Sequence, residues 1–292
     1  MADKETVAVL GAGSVMGLAM ARNIARGGYE VRAWNRSRDK AESLTEDGAQ
    51  VFDSPAEAAR GAGVLLTMLA NADAVMACMA GEDGALAAQH AEEAIWLQTS
   101  TIGEEGTERC IELARAARVE FIDAPVLGTK QPAEEGKLVV LASGPERMHE
   151  RVQPLFDLVG QRTMWVGGAG AGTRLKLAVN SWLLSVVEGA AETLALAQGL
   201  DLDPELVLEA VRGGSLDMPY LQMKGKAMIE HAFEPSFRLA LAAKDAGLVQ
   251  AAAERHDLDL PMLRAIRDRF DLGSDEHGDL DLSATYLTSA PA

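Results

Sequence analysis

The sequence predicts a two-part chain: an α/β domain built on a doubly wound, mostly parallel sheet, then a long helix leading into an all-α C-terminal domain. Three observations predict it. Short apolar strands alternate with helical segments through the first half, and a glycine-rich turn joins the first strand to the first helix. From Thr173 onward only helical periodicity remains, broken at Asp203-Pro204, Gly213-Gly214, Pro219, Pro235 and Pro261. The expected division is therefore 1–167 and 168–292, each part of ordinary domain size.

Residues 6–38, TVAVLGAGSVMGLAMARNIARGGYEVRAWNRSR, read as apolar strand, glycine turn, amphipathic helix, second strand and basic end. That is the Rossmann-type order a dinucleotide needs: glycines let the backbone approach a pyrophosphate, and the following helix offers N–H groups and a positive dipole end. The candidates for this contact are Gly11, Ala12, Gly13, Ser14, Val15 and Met16. The spacing Gly11-x-Gly13-x-x-x-Gly17 is one residue longer than the usual fingerprint. Either the turn carries an insertion, or Ala12, Ser14 and Gly17 take the three motif positions.

The second strand ends in Asn35-Arg36-Ser37-Arg38, where an enzyme using NAD commonly carries an acidic residue for the ribose hydroxyls. A guanidinium suits a phosphate and no carboxylate repels one, so NADP(H) is expected ahead of NAD(H), at Asn35, Arg36 and Ser37, with Arg36 and either Ser37 or Arg38 on the 2′-phosphate. A solvated basic loop is the plainer alternative. Further strands are expected at 64–69, 94–98, 120–122, 138–142 and 163–166.

The joining helix, about 173–198, is apolar on nearly every face through Leu175, Leu177, Val179, Trp182, Leu183, Leu184, Val186 and Val187. Such a helix needs cover from its own domain or from a second subunit, so a homodimer or homotetramer through the helical domain is expected. Its most apolar stretch, 177–187, is too short to span a membrane.

A net charge of −17 argues against nucleic acid and anionic membranes as partners. Cys78 and Cys110 make no disulfide framework and have no zinc-type spacing, so no metal is expected. The five histidines scatter through hydrophilic segments and none is assigned to catalysis. The first strand begins close behind Met1, which leaves no room for a signal peptide, so a cytoplasmic enzyme is expected.

Two polar residues interrupt the joining helix near its start, Lys176 and Asn180, at i and i+4 and so on one face. A cation near a helix N-terminus opposes the dipole, and a residue set against a local rule is a functional candidate. Burial and the dipole would also ease its proton exchange near neutrality. On this helix alone, a lysine whose stem packs while its head reaches solvent fits equally well.

The chain resembles the β-hydroxyacid dehydrogenase family, of the 3-hydroxyisobutyrate dehydrogenase type. The resemblance rests on the N-terminal turn, on Asp123-Ala124-Pro125-Val126 with Gly128, on the run from Gly170 through Lys176 to Asn180, and on Phe237 with Lys244-Asp245. The stretches GTKQPAEEGKLVVLASG and GDLDLSA look most like the glyoxylate/succinic semialdehyde reductase branch.

The resemblance implies that Lys176 is the catalytic lysine that protonates the nascent alkoxide and that Asn180 helps hold it. It implies that Thr101, after Ser100, lies near nicotinamide and substrate, and that Met68, Leu69 and Asn71 lie along the cofactor. Phe237, Lys244 and Asp245 match residues that close over the cleft, Lys244 toward the cofactor and Asp245 toward Lys176. The family commonly reads Pro-Val-Ser-Gly, with the serine and the next backbone N–H groups on the substrate carboxylate; here Leu127 replaces the serine. Gly128 keeps the backbone donors and Thr129 returns a hydroxyl. A lost donor to a charged group is worth about 1.5–3 kcal/mol, so a substrate bulkier or less acidic than glyoxylate is expected.

The expected activity is NADPH-dependent reduction of a small aldehyde or 2-oxo acid, reversible as a hydroxyacid dehydrogenase. An imine reductase on the same fold is an alternative, though such enzymes usually lack the lysine. A non-catalytic dinucleotide-binding scaffold is another, opposed by the joint presence of Lys176, Asn180 and Asp245.

Overall fold

The computed structural model describes residues 5–91 and 93–290, and the chain falls into two compact units, Met1–Lys176 and Leu177–Ala292. The first unit opens with β1 (Val7–Leu10), α1 (Val15–Arg26), β2 (Val31–Trp34) and β3 (Gln50–Phe52). It continues with α2 (Pro55–Ala59), β4 (Val64–Thr67), α3 (Ala72–Met79), β5 (Ile95–Gln98), α4 (Gly103–Ala117) and β6 (Glu120–Asp123). These six strands form one parallel sheet in the order β3-β2-β1-β4-β5-β6.

Strand alternation divides its two faces. Val7, Val9, Val31, Ala33, Val64, Leu66, Ile95 and Leu97 enter one core, whereas Ala8, Leu10, Leu65, Trp96 and Phe121 enter another. Burial on both faces is why the strands read as continuous apolar runs. Helix starts are locally specified: the Ser14 hydroxyl accepts from Gly17 N, and Ser54 and Glu57 form a reciprocal capping box around Pro55. Such caps contribute about 1 kcal/mol each.

The strands expected at 138–142 and 163–166 do not extend this sheet. They are β8 (Leu138–Ala142) and β9 (Gly160–Trp165), which with β7 (Val126–Leu127) form a separate three-stranded sheet. The reason is connectivity. Only Ala124 and Pro125 separate β6 from β7, and a parallel return needs a crossover of about a dozen residues or more. The chain turns instead, and β7 pairs antiparallel with β8 while β9 runs parallel to it. The short α5 (Lys130–Glu134) and then α6 (His149–Val159) fill the two connections. Neither β3 nor β7 was anticipated, each being too short to show a pattern.

Helix α7 (Ala171–Gly199) matches the expected joining helix. The second unit holds its remainder with α8 (Glu205–Val211), α9 (Pro219–Ile229), α10 (Leu239–Arg255) and α11 (Pro261–His277). Pro219 and Pro261 stand in the first turns of their helices, where a missing N–H costs nothing. Leu184, Val187, Leu194, Met228, Leu239, Phe270, Leu282 and Tyr286 build the core of this unit. The all-round burial expected of α7 is not reached within the chain: Trp182 is 63% and Leu196 62% exposed. Among the described residues no helix is long and apolar enough to cross a membrane.

Candidate active site

The glycine turn lies where the strand order reverses, between the carboxyl ends of β1 and β4, the place where sheets of this type bind ligands. Gly11 has φ of +94°, and a Cβ there would stand 2.2 Å from Met68 O, so the backbones of the two strand ends touch. A Cβ on Gly17 would stand 2.2 Å from Gly11 O. Gly11 and Gly17 therefore hold the tight-turn and close-packing positions, and the extra residue is taken up between them. There the N–H of Ser14 bonds Gly11 O at 3.0 Å, and the Ser14 hydroxyl donates to the same oxygen at 2.9 Å. Val15 and Met16 open α1, whose first-turn N–H groups have no intrahelical acceptor. A backbone this close, ending on helix donors, fits a pyrophosphate.

Met68 and Leu69 follow β4 beside this turn. Ser14 Oγ reaches Met68 O at 3.3 Å, and Leu69 N–H donates to Ser100 Oγ at 2.9 Å, which ties the β4 and β5 loops together next to half-buried Thr101. Asn71 is occupied structurally, its side chain accepting from Ala74 N at the start of α3. At the end of β2, Asn35 Nδ2 donates to Ser37 O at 2.9 Å and shapes the loop. Arg38 is committed to Glu42 and Asp53, both at 2.7 Å, whereas exposed Arg36 has no ion-pair partner among the described residues.

Helix α7 brings Lys176 to the next segment of the same unit. Its Nζ donates to Val126 O at 2.9 Å, at the head of the stretch Leu127, Gly128 and Thr129. Leu127 is half-buried on β7, and Gly128, with φ of +127°, leaves the strand before Thr129 starts α5.

In the helical unit, Asn180 Nδ2 donates to Asp245 Oδ2 at 2.7 Å, and Lys244 Nζ lies 2.7 Å from Asp245 Oδ1. Phe237 is held by its backbone: its N–H donates to Asp281 Oδ2 at 3.2 Å, and its carbonyl accepts from Leu282 N at 2.8 Å. Buried Asp281 also pairs with buried Lys224 at 2.7 Å and accepts from Ser236 and Ser283. Burial pushes the Asp281 carboxyl up, but Lys224 and these donors outweigh it and hold the group below the usual carboxylate range. Among the described residues no cluster of His, Cys, Asp or Glu could hold a metal.

Residues 6–167 match the family described as the NAD binding domain of 6-phosphogluconate dehydrogenase. Residues 170–288 match the NAD-binding domain of NADP-dependent 3-hydroxyisobutyrate dehydrogenase. The chain belongs to the β-hydroxyacid dehydrogenase family. It is 32% identical to glyoxylate/succinic semialdehyde reductase 1 of Arabidopsis thaliana over 282 residues, covering 95% of this chain and 96% of that one. It is 31% identical to 3-hydroxyisobutyrate dehydrogenase of Pseudomonas aeruginosa over 288 residues, covering 95% and 96%. Among solved structures, 3-hydroxyisobutyrate dehydrogenase of Mycobacterium tuberculosis with L-serine is similar at 27% identity and a TM-score of 0.87, covering 98% of this chain and 99% of that one.

The chain is thus an NAD(P)-dependent oxidoreductase of the hydroxyacid dehydrogenase type. Three contacts in the dehydrogenase's architecture have no counterpart in the sequence pattern, although Asp123 and Val126 belong to a block that carries the family resemblance. The Val126 carbonyl is backbone and carries no side-chain signal. Asp123, at the end of β6 against the first turn of α7, and the Lys224–Asp281 pair are ionisable residues wholly inside the fold, and only contacts distant in sequence reveal that.

Proposed function

We propose that this dehydrogenase is an NADPH-dependent reductase of a small aldehyde or 2-oxo acid of the semialdehyde/glyoxylate type, reversible as a β-hydroxyacid dehydrogenase, with Lys176 as general acid/base. The observation that carries this reading is the anchoring of Lys176 Nζ on Val126 O, at the head of the segment assigned to the substrate carboxylate.

A nicotinamide, when bound, supplies the hydride for the carbonyl carbon. Lys176 gives its proton to the carbonyl oxygen as charge develops there, and takes it back in the reverse direction. The backbone N–H groups at Gly128 and Thr129 orient the carboxylate, while Leu127 favours a less acidic or bulkier acyl chain than glyoxylate. Gly11 to Met16 form the pyrophosphate cradle, and Met68, Leu69, Asn71 and Thr101 line the cofactor. Arg36 takes the 2′-phosphate, a preference supported by its lack of an acidic partner while Arg38 is engaged. Asn180, Asp245, Lys244 and Phe237 keep the positioning roles that the family resemblance implies.

In this reading 1–167 is the cofactor domain and 168–292 the substrate and assembly domain of a cytoplasmic homo-oligomer. Trp182 and Leu196, exposed in the single chain, support the assembly. The test is a panel of glyoxylate, succinic semialdehyde, larger aldehydes and a cyclic imine, run with NADPH and NADH in parallel. Turnover of an acidic aldehyde with NADPH is expected; turnover of the imine alone, or of nothing, overturns the reading.

A further inference from the structure

A buried chain of oxygen atoms joins the end of β6 to the first turn of α7, and the reaction just described does not use it. Asp123, Ser143, Thr107 and Thr173 are all at most 3% exposed. Thr107 Oγ1 donates to Gly103 O at 2.9 Å and lies 3.0 Å from Thr173 Oγ1. Thr173 Oγ1 lies 2.8 Å from Asp123 Oδ1. The other carboxyl oxygen, Oδ2, accepts the Thr173 N–H at 2.7 Å and faces Ser143 Oγ at 3.1 Å, and Ser143 Oγ accepts the Gly172 N–H at 2.9 Å.

Counting hydrogens along this chain points to the state of the acid. Three oxygen–oxygen contacts run from Gly103 O to Asp123 Oδ1, and each needs one hydrogen. The carbonyl brings none, and the two threonine hydroxyls bring one each. A full two-centre bond at every contact takes its third hydrogen from the carboxyl. With it, Asp123 donates to Thr173, Thr173 to Thr107 and Thr107 to Gly103 O, while Oδ2 acts as a carbonyl acceptor. Without it, one hydroxyl hydrogen is split between two acceptors or one contact sets lone pair against lone pair, in a dry interior where a weak or unmade bond is costly.

We infer that Asp123 is a neutral, proton-bearing acid in the folded enzyme, and a positioning residue that holds the first turn of α7 and through it Lys176. Its segment grips the helix twice, by the Asp123 carboxyl on Thr173 and by the Val126 carbonyl on Lys176. Burial raises the Asp123 carboxyl above its ordinary range, against opposing bonds from Thr173 and Ser143 and the charge of Arg174. The charged and titratable groups facing it are Arg174 on α7 and Cys110 on α4; burial pushes the Cys110 thiol up to about 12, which keeps it uncharged. The positioning half rests on the reading of Lys176 as the acid; the protonation half does not.

The test uses the full chain labelled with 13C at aspartate carboxyls. The signal lost in Asp123→Asn is expected at the shift of a protonated carboxyl and unmoving between about pH 5 and pH 8, where an ordinary aspartate is ionised. A carboxylate shift at neutral pH overturns the inference. In turnover, Asp123→Ala is expected to lose about tenfold or more in kcat, with KM and NADPH affinity little changed, as for a misplaced catalytic group. Asp123→Asn, which reproduces the donor and acceptor of the neutral acid, is expected to rescue most of that loss. Equal impairment of both variants overturns it. Should Asp123→Ala fail to fold, Thr173→Val breaks only the hydroxyl link and is expected to lower kcat in the same way; an unchanged kcat there overturns the positioning role. Turnover retained without the Lys176 amine would sink the functional reading while leaving the carbon signal of Asp123 in force.

Discussion

The Asn180 side-chain amide donates to Asp245 Oδ2 at 2.7 Å, both residues being buried in the helical unit. Asp245 also holds Lys244 at 2.7 Å, so one carboxylate organises two of the polar groups that the family resemblance singles out. Removing the amide leaves a buried oxygen of Asp245 without its donor, which costs about 1–3 kcal/mol. Asn180→Ala is therefore expected to lower the unfolding free energy by that amount, and Asn180→Ser by less. Urea unfolding measures both, and an unchanged stability in Asn180→Ala contradicts the assignment.

Lys176→Ala or Lys176→Met is expected to reduce kcat by at least about 10²–10⁴-fold, the range for a lost general acid. NADPH affinity, read by fluorescence titration, should stay nearly intact. Retained turnover in either variant would falsify the role of Lys176.

Arg36→Ala is expected to weaken NADPH by about 1.5–3 kcal/mol, the scale of a hydrogen bond to a charged group, and to leave NADH unaffected. Arg38→Ala should change neither by much, because that guanidinium is already paired with Glu42 and Asp53. Titration of both coenzymes against both variants separates the two arginines.

Asp281 has a carboxyl held below its ordinary range in the folded state. The sign follows from linkage: its stabilisation is fully present above about pH 4, the unfolded value, and is lost as pH falls through the lowered folded value. Asp281→Asn removes that acid-side dependence and strands Lys224 in the core, at a cost of about 3–5 kcal/mol. Thermal melts across the acid range should show a much lower Tm for the variant near neutrality, converging on wild type as the pH drops.

The glycine turn, the basic end of β2 and the burst of helices after Thr173 were legible because each is written in neighbouring residues. Periodicity placed β4, β5, β6 and β8 within a residue or two, since strands buried on both faces read as unbroken apolar runs. It could not show that β8 and β9 leave the main sheet, because pairing partners are chosen by the length of the connection after β6 and not by strand composition. Lys176 stood out as a cation near a helix start; that its partner is the carbonyl of Val126, fifty positions away in sequence, did not.

What the sequence determined by itself was the order of elements, the dinucleotide turn and the family pattern, since these depend on backbone conformation and local spacing. Which ionisable groups lie inside, and in which state, was set by contacts between residues far apart along the chain. Asp123 stands in an apolar run and Asp281 between two leucines, yet one is raised by burial and the other lowered by a buried lysine. The cause is physical: an ionisable group's state depends on the dielectric and the donors around it, and the fold gathers those from residues far apart along the chain.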